Sequence, residues 1–168
     1  SYLFLLGGLD TVTATLGCSM AYLASNPEQR RKLVARPELI PNAVEELLRW
    51  ETPVSLVPRV LKQNVTIGDV ELREGNLVNL LIGAANVDPA EFTDPTRVDF
   101  ERENNRHIAF GAGAHRCLGS HLARMELRAA LEEWHRRIPE YEIKAGAVPK
   151  VSPGIREQLY LPLVWSAR

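Results

Sequence analysis

The stretch "LGSHLARMELRAALEEWHRRI" limits the possible folds more than any other part of the chain. Its spacing predicts a helix over residues 118–137. Leu118, Leu122, Met125 and Ala129 fall on one face, and Leu127, Leu131, Trp134 and Ile138 on the opposite face. A surface helix needs only one apolar stripe. Two stripes predict a helix sandwiched between two layers.

The remaining segments read in order. Residues 1–25 form a helix, apolar all round at first and then amphipathic, which stops at Asn26-Pro27. Pro27 suits the first turn of a following helix, and Pro37 and Pro41 bracket the start of another, "NAVEELLRW", so that helices fill residues 27–50. From Val54 the residues turn β-branched. A small β region over 54–82 is expected, with hairpin turns at Gly68-Asp69 and Glu74-Gly75. "NLVNLLIGAANVD" is an apolar run that fits strand or helix. Residues 88–106 are polar and proline-rich, a long loop of the kind that is usually functional. A cysteine loop follows at 107–117, and short strands close the chain over 141–165. The fold class is mainly α with small β-sheets.

Bulk properties exclude several functions. The chain has 168 residues, 45% hydrophobic and 24% charged, enough for one domain with a core. A net charge of −1 gives no general attraction to nucleic acid or to an anionic membrane. Cys18 and Cys117 are too far apart in sequence to suggest a disulfide framework or a zinc quartet, so a reduced, cytoplasmic setting is expected. The opening "SYLFLLGGLD" lacks a basic leader and falls far short of the ~20 residues that span a bilayer. It reads as the middle of a buried element, and the chain as a fragment.

Cys117 lies in "FGAGAHRCLG", where several chemistries compete. Cysteine is often simply buried as a small hydrophobe. Here it precedes a helix, where free N–H groups and the helix dipole favour a thiolate, and Gly111, Gly113 and Gly119 let the backbone approach something closely. A phosphatase-type loop fails on spacing, because His115 is one residue too early and Arg124 one too late. A dinucleotide fingerprint fails because Gly111-x-Gly113 is followed by Arg116. A cysteine hydrolase needs a histidine partner. His107, His115, His121 and His135 are available, and nothing in the sequence pairs one with the thiol.

The loop resembles the haem-binding loop of cytochromes P450, whose pattern is Phe-x-x-Gly-x-(His/Arg)-x-Cys-x-Gly. Phe110, Gly113, His115, Cys117 and Gly119 match it, and "HLARME" at 121–126 resembles the continuation in soluble bacterial members. The resemblance implies haem b with Cys117 as its thiolate ligand, Phe110 near the sulfur, and Gly111, His107 and His115 among the cofactor-binding residues. Such a ligand pushes electron density toward O–O cleavage.

Three further motifs stand in the order that this family has. "LLGGLDTV" matches (Ala/Gly)-Gly-x-(Asp/Glu)-Thr at Gly7, Gly8, Leu9, Asp10 and Thr11, with Val12 where many members carry a second threonine. The match implies that Gly7 and Gly8 lie over the haem and that Asp10 and Thr11 organise proton delivery. Without the family it would read as a packing notch. "EELLRW" supplies Glu46-x-x-Arg49, on spacing alone a solvated pair and by resemblance a buried structural one. "PVSLVPRV" implies that Val54, Ser55, Leu56 and Val57 face substrate and that Arg59 pairs with a haem propionate. "AANVDP" resembles a family segment that commonly has arginine where Val87 stands.

The resemblance covers essentially the whole chain but only the C-terminal part of the cytochrome P450 fold. It implies a monooxygenase that inserts one oxygen atom into a C–H bond of an apolar small molecule, served by a ferredoxin-type electron donor. Membrane and nucleic acid are not expected partners. A second chain or the missing N-terminal half is expected to complete the pocket. The alternative is a truncated or proteolysed fragment that is non-catalytic or only binds haem.

Overall fold

A computed structural model describes residues 2–152 and 155–166; Ser1 lies outside them. Three long helices carry the core: α1 (Tyr2–Ser25), α3 (Ile40–Glu51) and α5 (Ser120–Arg137). Between the first two lies α2 (Pro27–Ala35), with Pro27 in its first turn, followed by a 3₁₀ turn at Pro37–Leu39. Leu23 of α1, Leu33 of α2, Leu47 and Leu48 of α3, and Leu127 and Leu131 of α5 are buried together. Phe100 reaches this core from the long loop and packs edge-on against Tyr22, which also meets Trp50 with ring centroids 5.2 Å apart.

The β region forms two separate pairs. Strand β1 (Val57–Val60) runs antiparallel to β4 (Leu77–Leu80), with Val57 opposite Leu80, while β2 (Val65–Ile67) and β3 (Val70–Leu72) form a hairpin turning at Gly68-Asp69. The expected hairpin at Glu74-Gly75 does not form. The chain turns there, but Gly75 N–H bonds to Leu61 O and Leu61 N–H to Asn76 O, so β4 is delivered to β1 and not to β3. The ambiguous apolar run resolves as β4 followed by a single helical turn, α4 (Ile82–Ala85). Near the C-terminus β5 (Glu142–Ile143) pairs with β8 (Leu163–Val164), and β6 (Lys150–Val151) with β7 (Gln158–Tyr160).

Two features of α5 differ from the sequence expectation. It starts at Ser120, because the Cys117 carbonyl accepts the Ser120 N–H and the intervening residues form a turn. It is also covered on one side only. Leu127 and Leu131 are buried, whereas Leu118 is 87% exposed and Leu122 and Met125 more than half exposed. Among the described residues no second layer packs on that face.

Candidate functional site

The site is assembled on α3 and the long loop after α4. Glu46 and Arg49, three residues apart on α3, are both fully buried. Arg49 Nε and Nη2 donate to the Glu46 carboxylate, each at 2.8 Å. Arg49 also donates to the carbonyls of Asn86, Pro95 and Arg97, and its guanidinium lies 5.1 Å from the Phe92 ring centroid. Glu46 further accepts from Asp99 N–H, Arg102 Nε and Asn105 Nδ2. A buried pair without such partners would be costly. This one fastens residues 86–105 onto α3.

Asn86 carries that scaffold to the cysteine loop. It is fully buried, donates through Nδ2 to Thr52 Oγ1 and accepts the Ile108 N–H at Oδ1, both at 2.8 Å. Thr52, in a left-handed conformation at the end of α3, donates its hydroxyl to Arg49 O. The strip 107–110 is thus aligned with α3. Gly111 and Gly113 then turn the chain with φ of +70° and +65°, values that disfavour side chains with a Cβ. Cys117 N–H closes the loop onto Phe110 O at 2.8 Å. Cys117 is a free, exposed thiol. Cys18 is the opposite case: burial pushes its thiol up to about 11, and it donates to Arg156 O.

The Cys117 loop forms one wall of a cavity of about 470 Å³ lined mainly by apolar atoms. Helix α1 also lines it, through Gly7, Gly8 and Thr11. At Gly7 and Gly8 an added Cβ would meet nothing within 4 Å, so the glycine pair faces open space. Thr11 donates its hydroxyl to Gly7 O at 2.9 Å. Val54, Val57 and Arg59 close one side, and Phe110, Gly111, His115 and Gly119 join Cys117 in the lining.

Other sequence-selected residues lie elsewhere. Asp10 is exposed and outside the lining. Ser55 turns to α4, where its carbonyl accepts the Gly83 N–H, and Leu56 is largely exposed. Gly113 shapes the loop without lining the cavity. The His107 side chain is 2% exposed and is held outside the cavity by Glu45, 3.0 Å from its Nε2. Sequence reasoning missed Asn86, Arg102, Asn105, Glu45 and Arg124. A polar asparagine inside an apolar run was the available signal for Asn86, and Glu45 and Arg124 lie in the family-like runs "EELLRW" and "HLARME"; Arg102 and Asn105 had none.

The donor set fits one kind of group. Among the described residues no three His, Cys, Asp or Glu side chains are placed together to hold a metal ion. A single soft thiol facing an apolar cavity suits a metal that arrives with its equatorial ligands already in a macrocycle. Arg59 and His115 lie in the lining and would be the residues to meet a group with acidic arms; Glu126 lies in it as well.

Comparison with known proteins points to one family. The family model described as Cytochrome P450 matches residues 1–137. The chain is 45% identical over 147 residues to the probable cytochrome P450 127A1 of Sinorhizobium fredii, covering 88% of this chain and 35% of that protein. It is 41% identical over 170 residues to the mycinamicin IV hydroxylase/epoxidase of Micromonospora griseorubida, covering 96% of this chain and 42% of that protein. Its backbone superposes on the crystal structure of P450BioI, solved with an acyl carrier protein bearing hexadec-9Z-enoic acid. The TM-score is 0.92 at 38% identity, over 98% of this chain and 43% of that one. The chain therefore spans between about a third and two fifths of the length of these curated relatives.

Proposed function

The chain belongs to the cytochrome P450 family, and on that premise we propose that the intact protein is a haem-thiolate monooxygenase in which Cys117 would ligate the haem iron. The carrying observation is that an exposed thiol shares the lining of one apolar cavity with Gly7, Gly8 and Thr11. The overall change is R–H + O2 + 2 electrons + 2 protons to R–OH + water, with an apolar small molecule as R–H. Haem b, the family's cofactor, supplies the oxygen activation when bound.

The protein's own residues do the rest. Cys117 donates its thiolate. The Cys117 N–H bond to Phe110 O and the turns at Gly111 and Gly113 hold that sulfur in place. Gly7 and Gly8 leave room in the same cavity. Thr11 holds a hydroxyl proton there, and the neighbouring exposed Asp10 connects it to solvent. Arg59 and His115 bind the acidic arms of the macrocycle. Val54 and Val57 present apolar surface to the substrate. Glu46 and Arg49 have no part in the chemistry and fix the scaffold.

Electrons come from a ferredoxin-type donor in a cytoplasmic setting. The bacterial origin of the relatives and two unpaired cysteines support this. No helix among the described residues is long and apolar enough to cross a membrane. The exposed Leu118, Leu122 and Met125 favour a second reading for the 168 residues alone, non-catalytic or only haem-binding, because this apolar face of α5 is uncovered among the described residues.

The test is coupling. In the haem-loaded, reduced protein with a turned-over substrate, Thr11→Ala is expected to keep oxygen uptake while product per oxygen falls by about a hundredfold. Unchanged product per oxygen would remove Thr11 from the mechanism.

A further inference from the structure

The Glu45 carboxylate lies beside the structural pair, yet it faces the other way, toward α5 and the cysteine loop. It receives a two-pronged hydrogen bond from Arg124, Nε to Oε1 at 2.7 Å and Nη2 to Oε2 at 2.8 Å. Arg124 Nη1 donates to Ser120 O at 3.3 Å. All three nitrogens are engaged, so the guanidinium is held in one orientation, 4.4 Å from the Phe110 ring centroid. Phe110 in turn accepts the Cys117 N–H.

Glu45 Oε2 also meets His107 Nε2 at 3.0 Å. Ala109 N–H donates to His107 Nδ1 at 3.2 Å, which puts the ring proton on Nε2, directed at Glu45. One carboxylate thereby grips both sides of the cysteine loop: His107 before it and Arg124 after it. The Arg128 guanidinium, 3.8 Å away, adds a second positive charge. The Glu45–Arg124 pair carries no net charge, and each member balances the other beside Phe110.

We propose that Glu45 and Arg124 are positioning residues that set the electron affinity of the thiolate-bound iron by fixing the Phe110–Cys117 hydrogen bond and by balancing charge beside it. This rests on the assignment of Cys117 as the haem ligand. A lone positive charge near the site favours the ferrous state, and a lone negative charge favours the ferric state. Glu45→Gln leaves Arg124 and Arg128 unbalanced; Arg124→Gln leaves Glu45 with the His107 N–H and the more distant Arg128.

The experiment is a spectroelectrochemical titration of the haem-loaded protein, with the electrode supplying the single electron. Glu45→Gln is expected to lower the ferric-to-ferrous ratio at fixed potential at least threefold, a rise of about 28 mV at 59 mV per tenfold for one electron. Arg124→Gln is expected to shift it at least threefold the other way. The double variant is expected to return toward the wild-type value. Shifts in the same direction, or shifts under threefold in both single variants, overturn the proposal, because a merely structural role has no opposed signs. If a glutamine variant does not load haem, Glu45→Asp and Arg124→Lys take their places. Both keep the charges, and a displacement beyond threefold in either overturns the charge balance. Failure of the parent assignment is recognised separately: the wild-type protein would then lack the red-shifted carbon monoxide Soret band of a thiolate-bound haem.

Discussion

Glu46→Gln is the most informative perturbation of the scaffold. Glu46 is fully buried and accepts hydrogen bonds from Arg49, Asp99, Arg102 and Asn105. Every one of these partners is a donor. A glutamine amide must turn its NH2 toward some of them, so that donor faces donor in either orientation. Arg49 then stays charged at zero exposure with Arg102 nearby and no balancing acid. Breaking a buried ion pair in this way costs about 3–5 kcal/mol. For a chain of this size that corresponds to a fall in Tm of about 6–20 °C. Glu133, paired with Arg136 on the exposed side of α5, is the control, and Glu133→Gln is expected to cost under about 1 kcal/mol. The assay is urea unfolding followed by far-ultraviolet circular dichroism, with the m-value checked for constancy. A cost for Glu46→Gln no larger than for Glu133→Gln, at unchanged m, would refute the reasoning.

Other perturbations address different layers. His135 is 5% exposed, and burial holds its imidazole at about 4 instead of 6.5. Only the unfolded chain therefore takes up a proton between those values, so stability falls as pH drops from 6.5 to 4, by up to about 3 kcal/mol; His135→Phe is expected to flatten that part of the stability profile. Burial alone would raise the Glu45 carboxyl, but the bonds from His107 and Arg124 outweigh it and hold the group at about 2, so its contribution persists above pH 4.5 and is lost in a lower window, as pH falls toward 2. Asn86→Ala strands the Ile108 N–H and removes the donor to Thr52 Oγ1, and is expected to cost about 2–5 kcal/mol by chemical denaturation. In the 168-residue chain Leu131→Ala is expected to cost about 2–5 kcal/mol and Leu118→Ala under about 0.5, because only the first is buried.

Local signals were legible where local chemistry decides. Asn26-Pro27 ended one helix and opened the next, and Gly68-Asp69 turned a hairpin, because each acts on its own backbone. Glu74-Gly75 misled because a turn does not say which strand receives the chain; the bonds between Leu61 and residues 75–76 made that choice. The two apolar stripes of α5 are both present in the sequence, but the described residues supply a layer for only one of them. Such a pattern records burial in the whole protein, and this chain spans only part of the length of its relatives. Glu46 and Arg49 have the spacing of a solvated pair; their burial depends on a loop 37 to 59 residues later in the sequence, which helical periodicity cannot register. Glu45 and Arg124 escaped notice for the same reason, 79 residues apart yet joined by two hydrogen bonds.

The central claim is that Cys117 ligates haem iron in the cavity under Gly7 and Gly8. Its most direct test is the carbon monoxide difference spectrum of the reduced, haem-loaded protein, with Cys117→Ser beside it. The account predicts a strongly red-shifted Soret band in the wild-type protein and its loss in the serine variant, with far-ultraviolet circular dichroism unchanged. The absence of that band in haem-loaded wild-type protein, or its persistence in Cys117→Ser, would contradict the account.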